Sequence, residues 1–159
     1  MFRFPAAFFL ASCWLLLQPS AGAQALRASQ ANADSPGTVR IEIALRSPRG
    51  KEPAALQWNL AIPTQRLTFP DAIAAAGPAA RSAGKLVNCA ARAADLAICV
   101  VSGGQERIPN GVVAVLRLAV APHTPRGTAQ IRIDGGIAVF PDLSHIALGA
   151  VTKTIRISP

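Results

Sequence analysis

The chain has 159 residues, with 16 Lys and Arg against 8 Asp and Glu for a net charge of +8, and 51% of its residues are apolar. That length is one domain's worth and suffices to bury a core without a structural metal. The basic residues Arg40, Arg46, Arg66, Arg117, Arg132 and Arg156 stand singly, mostly between apolar neighbours, which describes solvated strand faces and excludes a basic nucleic-acid patch; an acidic partner is the one reading the charge leaves open.

The chain begins MFRFPAAFFLASCWLLLQPSAGAQ. One basic residue, Arg3, precedes an apolar run to Leu17, and the small triplet Ala21-Gly22-Ala23 follows a Gln18-Pro19 break. This order predicts a secretory signal peptide over residues 1–23, cleaved after Ala23. The run is shorter than the roughly 20 residues a membrane span requires and is interrupted by Pro5. Leu10-Ala11-Ser12-Cys13 resembles a lipid-attachment box, but Cys13 lies inside the apolar core with Trp14 and three leucines still to come. Export to the periplasm or the cell exterior, with no membrane attachment after cleavage, is the expectation. The remaining 136 residues keep 15 of the 16 basic residues and all 8 acids, a net of +7.

Residues 24–37 lack an apolar period and read as a flexible leader. From Thr38 the period becomes two: TVRIEIALR sets Val39, Ile41, Ile43 and Leu45 against Arg40, Glu42 and Arg46. ALQWNLAIP repeats the device with Leu56, Trp58, Leu60 and Ile62, and a short run RLTF ends at Pro70. DAIAAAGPAARSAG is the helical candidate; Gly77-Pro78 splits it, so one or two short helical turns are expected. GKLVNCA and DLAICVVSG read as a hairpin, and GVVAVLRLAV, GTAQIRID, GIAVF and GAVTKTIRIS bring the count to about nine strands. Ser102-Gly103-Gly104 and Asp134-Gly135-Gly136 read as turns between strands. The fold class is all-β, a sandwich or barrel over residues 38–159 with one short helical insertion.

In an exported chain, Cys89 and Cys99 are the two thiols left after cleavage, and oxidising compartments pair such thiols. A hairpin centred near Ala94 sets them directly opposite, about 4.5–5.5 Å apart at Cα, within disulfide reach. A zinc site would need further ligands at close spacing, which His123 and His145 do not supply. His123, between two prolines, reads as an exposed turn residue. Asp142, Ser144 and His145 are sequence neighbours, and such neighbours seldom make a catalytic triad. The acids are scattered singly, without the clustering that calcium or sugar hydrolysis would use. No nucleophile elbow, zinc-protease motif or phosphate loop is present. No enzymatic role, metal or cofactor is expected.

ALQWNLAIPTQRLTF, GPAARSAGK and IPNGVVAVLRLAV together resemble the cohesin domains of cellulosome scaffoldins, and more closely the stand-alone cohesin-like proteins of non-cellulosomal bacteria. The resemblance rests on Ala55, Leu56, Gln57, Trp58 and Leu60, then Leu67 and Phe69, then Ile108, Pro109, Gly111, Ala114 and Leu116. It covers about residues 38–157 and implies a flattened nine-stranded jelly-roll sandwich. It also implies a non-catalytic task, binding a dockerin-type module or an envelope protein through one sheet face. Polysaccharide binding is the alternative. A sugar platform would use exposed rings, and the three aromatics left after cleavage, Trp58, Phe69 and Phe140, all read as core. On 111–120, Val112, Ala114, Leu116, Leu118 and Val120 are expected inward. Val113, Val115 and Arg117 are then outward, as the candidate partner-binding residues.

Overall fold

The computed structural model describes residues 23–31 and 36–157; the expected signal peptide lies outside them, apart from its last residue, Ala23. The elements run β1 Ala25–Ala31, β2 Thr38–Arg46, β3 Ala55–Ala61, β4 Leu67–Thr68, β5 Ala74–Ala76, α1 Pro78–Ser82, β6 Leu86–Ala93, β7 Leu96–Ser102, β8 Gly111–Val120, β9 Gly127–Val139, β10 His145–Leu148 and β11 Val151–Ile157. They form two packed antiparallel sheets. In sheet one the order is β1-β2-β8-β4, with β5 also on β8; in sheet two it is β10-β9-β3-β7-β6, with β11 also on β9.

The period-two segments behave as their pattern requires. Val39, Ile41, Ile43 and Leu45 of β2 and Leu56, Trp58 and Leu60 of β3 are all buried, and they meet Leu116, Leu118, Ile131, Ile133 and Ile155 in one core between the sheets. Burying each large aliphatic side chain contributes about 1.5–3 kcal/mol, so the core is what holds the two layers together.

Four features depart from the sequence reading. Residues 25–31, expected in a structureless leader, form β1, paired to β2 from Ala25↔Arg46 to Ala31↔Arg40. Its far edge is closed by a side chain: the Gln30 carboxamide accepts from Arg156 N at 2.7 Å and donates to Arg156 O at 2.9 Å, so it stands in for a strand between β1 and β11. The first half of the helical candidate, Ala74–Ala76, is instead strand β5 on β8, and only Pro78–Ser82 is helical. Asp134-Gly135-Gly136 is no turn between strands. It is a bulge within the continuous β9, where the register against β3 shifts between Gln57 and Asn59. Gly135 has φ 56° there, the left-handed region that favours glycine, and a Cβ on it would also displace the Asn59 carboxamide, 2.6 Å away at Nδ2. Finally, β10 is an added strand, pairing His145–Leu148 with β9.

The cysteine pair is joined as expected. The β6–β7 turn falls at Ala94–Asp95, Cys89 and Cys99 face each other in register with Cα atoms 4.0 Å apart, and they form a disulfide. It sits on the inner side, with Cys99 buried and Cys89 against the core. Replacing both by alanine is expected to lower the unfolding free energy by about 2–3 kcal/mol, read from urea melts. An unchanged midpoint would show that the hairpin does not depend on the bridge.

Candidate functional site

Each sheet has an outer face, and the two differ in chemistry. On sheet one, cross-strand register brings Arg27, Ser29, Arg40, Glu42, Ala44, Arg46, Val115 and Arg117 to the outside. Arg40 and Arg117 lie directly opposite one another, and Arg40 reaches Glu42 at 3.6 Å. This face is polar and cationic.

The three residues read from the sequence as partner-binding fall on that strand, but not all on that face. Val115 is half-buried, between Glu42 of β2 and Ala75 of β5, and Arg117 is exposed. Val113 is fully buried in the core, against expectation. The cause is a bulge: Ile43 pairs with Ala114 and the next residue, Ala44, with Val112, so Val113 has no partner in β2 and turns inward. Strict alternation cannot see such a step. Val112 accordingly shares Ala44's outer side and is half-buried rather than core.

The outer face of sheet two carries an apolar patch over β6, β7 and the second half of β9, beside a polar half formed by Gln130, Arg132, Thr152 and Thr154. Asn88 of β6 pairs with Val100 of β7, Val100 with Gln57 of β3, Gln57 with Ile137 of β9, and Ile137 with Ala147 of β10. The adjacent row is Ala90, Ile98, Asn59 and Asp134. Leu86, at the start of the outermost strand, is 75% exposed. Ile98, Val100 and Ile137 are half-buried while their neighbours Ala97, Cys99, Val101 and Ala138 are buried. The sequence signal for this face was the double apolarity of DLAICVVS: both Leu96-Ile98-Val100 and Ala97-Cys99-Val101 are apolar, so one set must meet either a covering element or solvent.

Two groups shape the face. The Asp134 carboxylate accepts from Arg132 Nε at 2.8 Å and from Asn59 Nδ2 at 3.3 Å. The bond from Arg132, then that from Asn59, holds the Asp134 carboxyl below the usual carboxylate range. The folded state therefore favours ionised Asp134: its stabilisation is complete above the unfolded carboxylate pKa of about 4 and fades as pH falls through the lower folded value. Urea midpoints measured while acidifying below about pH 4 should fall less steeply in Asp134→Asn than in the parent. Parallel acid limbs would contradict the assignment. At the other edge Lys85, almost wholly buried, donates Nζ to Gly104 O at 3.0 Å and ties the β7–β8 loop to the start of β6. Burial lowers its pKa, against a smaller opposing pull from Glu106.

The remaining sequence candidates are placed as follows. His123 is exposed in a turn at φ 61°. Asp142 accepts from both Ser144 N (3.0 Å) and Ser144 Oγ (2.6 Å), which closes the β9–β10 turn on itself, while His145 lies beyond it, paired to Val139. Among the described residues, no three His, Cys, Asp or Glu side chains converge as a metal site would require. Trp58 is core and Phe69 packs against it; Phe140, expected in the core, is half-buried and outside that cluster.

No model of a known protein family matches the sequence, and neither does any curated protein. Solved structures do match. The sixth cohesin of Acetivibrio cellulolyticus scaffoldin B, solved in complex with a Cel5 dockerin, superposes with a TM-score of 0.71 at 12% identity, covering 86% of this chain and 100% of that one. A non-cellulosomal cohesin from the archaeon Archaeoglobus fulgidus gives 0.66 at 13% identity, over 87% and 93% of the two chains. A cohesin module from a Clostridium perfringens family 33 glycoside hydrolase gives 0.63 at 10% identity, over 85% and 98%. The chain has the cohesin fold.

Proposed function

We propose that the protein is an exported, non-catalytic binding module that captures a protein partner on the outer face of sheet two. The observation that carries this reading is the distribution of apolar side chains: exposed Leu86 and half-buried Ile98, Val100 and Ile137 share one face, interleaved with the amides of Gln57, Asn59 and Asn88. Apolar side chains gathered on one outer face mark an interaction surface, and interleaved amides orient whatever docks there. The Arg132–Asp134 ion pair on this face is internal, so a partner does not have to supply a charge to balance it. Relatives in fold are solved with dockerins bound, which makes a dockerin-like module the first partner class to try and an envelope protein the second. The Cys89–Cys99 bridge supports an oxidising compartment, in line with the signal-peptide reading of residues 1–23.

The outer face of sheet one, with Val115 and Arg117, is the competing surface. Immobilised protein should retain a discrete protein from an envelope or culture-fluid extract and little cellulose or xylan. Val115→Asp should leave that capture intact. Loss of capture in a folded Val115→Asp protein would move the site to sheet one, and retention on the polysaccharides alone would replace the protein-binding reading.

A further inference from the structure

Phe140 is an aromatic residue without a place in the core, and it lies in a cleft. At one end of the sandwich the start of the mature chain, the β2–β3 turn, the β7–β8 loop and the β9–β10 turn border an open cleft of about 740 Å³, lined by Gln24, Arg49, Lys51, Arg107, Phe140 and Asp142 among others, and by Ala23, the last residue of the expected signal peptide, so cleavage there leaves Gln24 in the cleft as the new N-terminus. That volume lies within the range of small-ligand sites, about 300–1,000 Å³. Four features single it out. The lining carries three cations, Arg49, Lys51 and Arg107, against one carboxylate, Asp142. The neighbouring Glu52 carboxylate is turned to Gly50 N at 3.1 Å. Arg107 is fixed in place, its Nη1 bound to Gly50 O at 3.1 Å and Glu52 O at 3.3 Å. The turn that forms one wall is strained, with Leu143 at φ 67° and 82% exposed. A branched side chain in the left-handed region costs energy that the surrounding turn must supply, and such strain concentrates at binding sites.

We propose that this end cleft binds a carboxylate-bearing oligosaccharide, of the uronic acid class. The argument is chemical complementarity at each wall. The half-buried Phe140 ring offers a flat face for the apolar side of a sugar ring. Arg49, Lys51 and Arg107 meet the carboxylates that recur along such a chain. Asp142 and Ser144 accept from its hydroxyls. An acidic peptide shares the carboxylates but brings few hydroxyl donors for Asp142, whose charge opposes it. The cleft is separate from the outer face of sheet two, so this site stands or falls independently of the protein-binding reading.

The test uses protein purified from an exporting host, titrated calorimetrically at low salt with a galacturonic acid trimer, a neutral xylose trimer and a glutamate trimer. The galacturonate trimer should bind measurably and lose affinity with added salt, and the other two should bind at least tenfold more weakly. Phe140→Ala and Lys51→Gln should each weaken it about tenfold, with thermal melts unchanged, while Val100→Asp leaves it intact. Equal binding of the xylose trimer, equal binding of the glutamate trimer, no binding at all, or full affinity in both cleft variants would each overturn the proposal.

Discussion

Gly77→Ala is expected to destabilise the protein by about 3 kcal/mol, although it adds one methyl group. Gly77 has ordinary extended backbone angles, so conformational freedom is not the reason. The reason is proximity. Its N–H donates to Val113 O at 2.9 Å, and a Cβ would lie 2.3 Å from Val112 O and 2.7 Å from the carbonyl carbon. Backbone atoms of a central strand cannot retreat as a flexible side chain can, so β5 and α1 must lift from β8 or the β2–β8 bulge must reshape. Overpacking of this kind costs about 1–3 kcal/mol, and a backbone obstacle places it at the upper end. Denaturant midpoints with an unchanged m-value would measure it; a loss under about 0.5 kcal/mol would show that the close approach relaxes easily.

Val100→Asp is expected to weaken partner capture about a hundredfold while leaving the fold intact. Val100 is half-buried on the outer side of β7, between Asn88 and Gln57. Uncomplexed, an aspartate there keeps its hydration. In a complex it would be desolvated beside two amides with no cation in its row, and truncating or mischarging such a central position costs about 2–5 kcal/mol. Leu86→Asp, at the margin of the face, should cost less. Equal losses for the two would argue for general repulsion rather than a seated interface.

The sequence disclosed the parts of the fold that follow from local alternation and lost those decided at a distance. TVRIEIALR and ALQWNLAIP alternate cleanly because each has one face in the core, and the 89–99 hairpin carried its own register, so the disulfide was legible. The ALRASQA stretch of β1 was not: Leu26 is its one large apolar side chain, and its place is secured by β2 and by the Gln30 clamp on Arg156, which lies 126 residues away. A bulge is likewise invisible to a period-two reading, which is why Val113 was expected outside and Asp134-Gly135-Gly136 was expected to end a strand. Which outer face carries the more apolar surface was hidden for a related reason. Both faces of β7 and of β8 are apolar in sequence, and only the tertiary structure shows that β5 lies beside Val115 while nothing among the described residues covers Val100.

Hydrogen exchange of the captured complex addresses the site directly. With partner bound, amide protection should rise over residues 86–90, 96–102 and 57–59, the strands whose outer side chains form the apolar face, and stay unchanged over 112–119. Protection confined to 112–119, with sheet two exchanging as in the free protein, would contradict the account.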